Sequence, residues 1–184
     1  MKRYIALLRG INVGGNNIIK MKDLKLSLES MGLNNVITYI NSGNILFTSE
    51  IANLENITNL CEMVILQDFG IDIPVFVITI EDFTKALSCA PDWWNQSAEA
   101  KHDAFFVIPP ITASQIIEKV GTIKEEYEKV DYYDRIIFWS APLATYSRTR
   151  YSKIVKDKTM YRAITVRGAN TTLKLLALAK EQSL

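Results

Sequence analysis

"VITYINSGNILFT", residues 36–48, reads as two short strands back to back, VITYI (36–40) and NILFT (44–48). β-branched and aromatic residues suit a pleated surface, and Ser42-Gly43 between them reads as a two-residue hairpin turn. Upstream, Met21, Leu24, Leu28 and Met31 recur at helical spacing, with Gly32 placed to end that helix. Further upstream, RYIALLR (3–9) is apolar on both faces, as a central strand is. Downstream, Asn53 can cap a helix that runs through Phe69 to Gly70, and PVFVIT (74–79) reads as a strand. A hairpin between two helices, flanked by two strands, gives the order β-α-β-β-α-β.

The rest of the chain repeats that order. After a connecting helix at 81–89 come AFFVI (104–108), a helix from Thr112 to Val120, and a hairpin of KVDYY (129–133) and RIIFW (135–139). A basic helix at about 146–157, the strand AITV (163–166) and a last helix capped by Asn170 follow. The expected fold class is therefore α+β: two ferredoxin-like (βαββαβ) subdomains in tandem with an extra C-terminal helix. The expected boundaries are 1–80 for the first, 81–101 for a connector containing Trp93-Trp94, and 102–184 for the second. That topology predicts the strand order 4-1-3-2 in each half.

Hydrophobic residues make up 48% of 184 and charged residues 22%, which belongs to a folded globular protein. No apolar run approaches the ~18 residues of a membrane span. The opening MKRYIALLRG has too short an apolar core for a secretory signal, so a cytoplasmic protein is expected. Cys61 and Cys89 lack metal-ligand spacing and read as two buried reduced thiols. The single histidine, His102, leaves no catalytic triad to defend, and it reads as a surface or strand-start residue. No metal, no cofactor and no catalytic residue is assigned.

Net charge is +1, unevenly spread: +4 over residues 1–48, −8 over 49–103, −2 over 104–144 and +7 over 145–184. The two basic segments carry the same tetrapeptide pattern, Arg-Gly-x-Asn, as Arg9-Gly10-Ile11-Asn12 and Arg167-Gly168-Ala169-Asn170. The expected topology brings Arg9, Gly10, Asn12, Gly14 and Gly15 beside Asn41, Ser42 and Asn44 at one end of the first sheet. It brings Ser147, Arg148 and Arg150 beside Arg167, Asn170 and Thr171 at one end of the second. Arg, turn amides and a helix N-terminus are the means of capturing an anion. The expected function is binding of a small anionic ligand, a nucleotide or phosphometabolite, in a cleft between the halves. Three alternatives stand beside it: a nucleic-acid-binding protein, an enzyme on an acyl or phosphoryl substrate, and a protein-interaction module. No membrane partner is expected, and a homo-oligomer stays open.

The stretches "YIALLRGINVGGNNIIKM", "TYINSGNILF", "SRTRYSK" and "VRGANTTLKLLALA" resemble the bacterial proteins grouped as domain of unknown function 1697. The resemblance runs from about residue 3 to about 180. It implies a two-subdomain α+β fold of ferredoxin-like halves and no established activity. The positions that match are Arg9, Gly10, Asn12, Gly14, Gly15, Asn41, Ser42, Gly43, Asn44, Ser147, Arg148, Arg167, Asn170 and Thr171. The last motif departs from the family's usual form, in which an Asn and then an aromatic follow the Arg; here they are Gly168 and Ala169.

Overall fold

The protein is represented by a computed structural model that describes residues 1–181. The chain divides into two compact units, Met1–Thr84 with the end of the last helix from Leu178, and Lys85–Ala177. Each contains one four-stranded antiparallel sheet, so the fold is mixed α+β.

The first unit runs β1 (Lys2–Leu8), α1 (Met21–Ser30), β2 (Asn34–Tyr39), β3 (Asn44–Ser49), α2 (Leu54–Phe69) and β4 (Val75–Thr79). The sheet order is β2-β3-β1-β4, as the sequence predicts. Tyr4, Ala6, Leu8, Ile45, Phe47, Val75 and Val77 alternate onto the face covered by Leu24 and Leu28 of α1 and Ile57, Cys61, Val64 and Ile65 of α2. Ile5, Leu7, Leu46 and Ile78, on the other face, are buried as well. Burial on both faces is why IALL and ILF carry no polar alternation. At α2 the caps are those expected: the Asn53 side chain accepts the Asn56 N–H, and Gly70 closes the helix at φ 67°.

The hairpin turn differs from expectation. Tyr39 pairs with Asn44, so the connection is four residues long, 40–43, rather than two. Ile40 and Gly43 both take positive φ, 48° and 73°. Tertiary contact sets this geometry: the Leu8 N–H bonds the Gly43 carbonyl at 2.8 Å, drawing the turn onto the end of β1.

After α3 (Ile80–Ser88) the second unit runs β5 (Ala100–Val107), α4 (Ala113–Val120), β6 (Lys129–Tyr133), β7 (Ile136–Pro142), α5 (Lys158–Arg162), β8 (Ile164–Gly168) and α6 (Ala169–Glu181). Its sheet order is β6-β7-β5-β8, the counterpart of the first. Phe105, Val107, Ile137, Trp139 and Ile164 pack with Ala113 and Ile116 of α4 and with Tyr151, Ile154 and Met160. A capping box between Thr112 and Gln115 starts α4. In the connector, Trp94 packs edge-on against Phe138 and donates its indole N–H to the Asp103 carbonyl at 3.1 Å.

Three sequence expectations need correction here. The basic helix at 146–157 is instead two 3₁₀ turns, Tyr146–Arg148 and Tyr151–Lys156, before the short α5. Thr149 breaks the run with extended backbone, and its hydroxyl bonds Tyr146 O and Ser152 N. The Glu128 carboxylate also takes the Arg150 and Tyr151 N–H groups that a continuous helix would use internally. Asn170 does not cap α6, because β8 runs directly into a helix that starts at Ala169 and leaves Asn170 in its first turn. Of the two free cysteines only Cys61 is buried, its thiol pushed up to about 12 by that burial and by Glu62; Cys89 is exposed near the end of α3. Among the described residues no helix is long and apolar enough to cross a membrane.

Candidate functional site

In the first unit the topology gathers the glycine loop and the β2–β3 hairpin at one end of the sheet, but most of their polar groups are committed to each other. Asn12 sits at φ 54°; its Oδ1 accepts the Ile19 N–H, and its Nδ2 donates to the carbonyls of Ile19 and Asn41. Asn17 donates to the Gly10 carbonyl. Gly14 and Gly15 are the central pair of a tight turn closed by Asn16 N–H on Val13 O, with φ of 59° and 79° as a type I′ turn requires. Asn44 is buried and donates to Tyr39 O and the Ser42 hydroxyl. Arg9 is half-buried at the foot of β1. Asn12, Asn17, Asn44 and the glycine pair therefore build a shaped loop.

In the second unit the expected residues gather at the end of the sheet where β5 begins, but they do not converge. Ser147 is exposed in the first 3₁₀ turn. Arg148 lies over the Tyr127 ring, 5.7 Å from its centroid, and Arg150 donates to the Val120 carbonyl. Arg167 pairs with Ala104 across the sheet, so alternation puts it on the face opposite Lys101, Asp103 and Phe105. It is 7% exposed, donates to the Thr165 hydroxyl and the Val166 carbonyl, and is drawn down to about 10 by burial, still cationic at neutral pH. An open guanidinium fork is not what the fold makes of it.

Asn170 and Thr171 do line a cavity, of about 670 Å³, with Ser97, Lys101, His102, Asp103, Gly168 and Ala169. A second cavity of about 330 Å³ shares Lys101 and Asp103 and is otherwise lined by Phe105, Trp139, Tyr146, Tyr151, Ser152, Ile154, Tyr161 and Val166. The Lys101 ammonium is 3.2 Å from the Asp103 carboxylate and 5.6 Å from the centre of the Tyr146 ring. The His102 ring is held on both sides: Nδ1 by the Ser140 hydroxyl and the Asn95 N–H, Nε2 by the Ser97 carbonyl.

Burial raises the Asp103 carboxyl above its ordinary range, while Lys101 and His102 pull it back only in part. A carboxyl raised by folding stabilises the fold below its unfolded value, near 3.8, and that contribution is lost as pH rises through the folded value. Asp103→Asn is therefore expected to gain in melting temperature relative to the parent as pH climbs from that point. Thermal denaturation of both chains across this window measures it; two parallel curves would contradict the burial of the charge.

Lys101, Asp103 and Tyr151 are the residues that sequence reasoning passed over. Tyr151 lay inside the quoted "SRTRYSK". Lys101 and Asp103 share a strand face with Phe105, a pattern visible in "KHDAFF" only once β5 is known to begin at Ala100. Gly168 and Ala169, where the last motif departs from the usual form, both line the larger cavity.

Comparison with known proteins adds kinship without an activity. Among curated proteins none matches. The solved structure described as conserved bacterial protein SP0830 from Streptococcus pneumoniae is similar over 97% of this chain and 98% of its own, at 33% identity and a TM-score of 0.85. It spans the 146–157 segment and the last motif, which lie beyond the family match. The family described as "Protein of unknown function (DUF1697)" matches residues 1–138, three quarters of the chain, and the chain belongs to that family.

Proposed function

We propose that this chain binds a small anionic ligand, a nucleotide or phosphometabolite, and that the second unit holds it in the joined cavities around Lys101 and Asp103. One observation carries the reading: a polar cavity at the start of α6 and an aromatic cavity meet at the same pair of side chains. The first turn of α6 has amides without intrahelical acceptors and the positive end of the helix dipole, the usual means of holding an anion. Lys101 adds a full charge beside it. The aromatic cavity offers apolar area with few polar groups, the usual character of a small-molecule site. Each unit reads as a ferredoxin-like split βαβ, at 1–80 and 102–184 with a connector at 81–101, and the two strand orders support this. Two free cysteines support a reducing, cytoplasmic setting.

A thermal-shift screen against nucleotides, sugar phosphates, dicarboxylates and short oligonucleotides tests the binding. A ligand at ~100 times its dissociation constant adds about 2.7 kcal/mol, which raises the melting temperature of a chain this size by roughly 5–10 °C. The expected result is a shift by a small phosphate-bearing compound that Lys101→Met abolishes and Arg150→Ala keeps. A flat screen, or a shift that survives Lys101→Met, would remove the proposed site.

A further inference from the structure

His102 is the chain's single histidine, and its half-buried ring holds the connector. Its Nδ1 lies 3.1 Å from the Asn95 nitrogen and 2.7 Å from the Ser140 hydroxyl. Its Nε2 lies 2.9 Å from the Ser97 carbonyl oxygen and 3.4 Å from the Ser97 nitrogen. A backbone N–H only donates, so it bonds the ring only at a nitrogen that carries no proton. A neutral imidazole always has one such nitrogen. In either tautomer one connector amide is therefore held, Asn95 at Nδ1 or Ser97 at Nε2. The imidazolium has no such nitrogen. It keeps the Ser140 hydroxyl and the Ser97 carbonyl as acceptors, and it turns an N–H toward each connector amide. Asn95 sits in a left-handed turn at φ 61°, and residues 95–98 line the larger cavity together with His102, Asn170 and Thr171.

We propose that His102 is a pH-sensitive latch on this wall of the larger cavity. Neutral, the ring holds the connector at Asn95 as well as at Ser97. Protonated, it holds the connector at the Ser97 carbonyl alone, and the turn at Asn95 and Gln96 loosens. Histidine suits the task because its charge changes between pH 5 and 8. Charged groups stand near the ring on three elements. Lys101 and Asp103 flank it on β5, and Asp103 interacts with it by charge. The connector carries Asp92 and Glu99, and Lys129 of β6 pairs with Ser140 across from His102. The first turn of α6 brings no charged side chain. Asp103 is thus the group whose titration must be told apart from that of His102.

Amide hydrogen exchange at Asn95, read by NMR as a protection factor at pH 5 and pH 8, tests the latch on the parent chain, His102→Asn and His102→Phe. In the parent, protection at Asn95 is expected to fall roughly three- to tenfold from pH 8 to pH 5, the worth of one hydrogen bond. The Trp94 amide, which bonds the Pro91 carbonyl at 2.9 Å, is expected to keep its protection. An Asn side chain offers an amide oxygen in place of Nδ1 and does not titrate. His102→Asn is therefore expected to hold Asn95 equally at both pH values, and His102→Phe at neither. Equal protection at the two pH values in the parent overturns the latch. So does a fall that persists in His102→Asn, which would assign the titration to Asp103 or another carboxyl. Should His102→Phe not fold, the parent against His102→Asn decides. The exchange is read on the protein alone, so the latch stands or falls independently of the anion-binding reading.

Discussion

A chain carrying Gly43→Ala is expected to lose about 2–5 kcal/mol of stability in the first unit. Two costs add. Gly43 sits at φ 73°, where an L side chain costs roughly 1–2 kcal/mol. A Cβ there would also lie 2.6 Å from Leu8 Cβ and 2.9 Å from Ile11 Cδ1. Leu8 Cβ is anchored to a central strand and cannot swing aside, so β1 or the turn must shift, at the ~1–3 kcal/mol of an overpacked core. Gly15→Ala separates the two costs. Gly15 has φ 79° but open space around its Cβ position, so only the backbone cost of about 1–2 kcal/mol applies. Urea denaturation of the two variants measures the difference. Equal losses would show that the close approach to Leu8 is not what Gly43 serves.

Glu128→Ala is expected to destabilise the second unit by about 3–5 kcal/mol and to disorder the segment that lines the aromatic cavity. Glu128 is 2% exposed, and its two oxygens accept from Trp139 Nε1 at 2.9 Å, Arg150 N at 2.7 Å and Tyr151 N at 3.2 Å. Removing the carboxylate strands two buried donors and one half-buried one, at ~1–3 kcal/mol each when no replacement is found. The loss is local before it is global: Arg150 and Tyr151 N–H groups are expected to lose protection from hydrogen exchange, while amides of β1 and β3 keep theirs. Ligand-induced shifts at the Lys101–Asp103 cavities are expected to vanish with it, because Tyr146 and Tyr151 belong to the same segment. Unchanged exchange at Arg150 and Tyr151 would mean that backbone bonding alone holds the 3₁₀ turns.

The fold was legible where its causes are local. Asn53 and Gly70 bound α2 through cap geometry that a few neighbouring residues set. Strands apolar on both sides announced central positions, and β1 and β5 are central in their sheets. Misreadings fell where a partner distant in sequence overrides a local signal. The run SRTRYSK has helical composition, but Glu128, twenty-two residues before Arg150, takes amides a helix would keep. Ser42-Gly43 has turn composition, but Leu8 sets the length of that turn. Asn170 has the chemistry of a cap, but β8 leaves no residue between strand and helix for it to occupy.

The sequence by itself determined the element order, the strand order of both sheets and the ends at which polar residues gather, because periodicity and connection rules act along the chain. Only the tertiary structure decided which polar side chains face a cavity. Arg167 and Asp103 lie on neighbouring strands one register step apart, and that single step sends the arginine into the sheet's other face and leaves the carboxylate at the junction of two cavities. Lys101, Tyr151, Tyr161 and Asn170 come from separate segments, and their spacing along the chain carries no trace of the two cavities they line. Strand pairing between β5, β7 and β8, with Glu128 holding the 3₁₀ turns above them, is what brings them together.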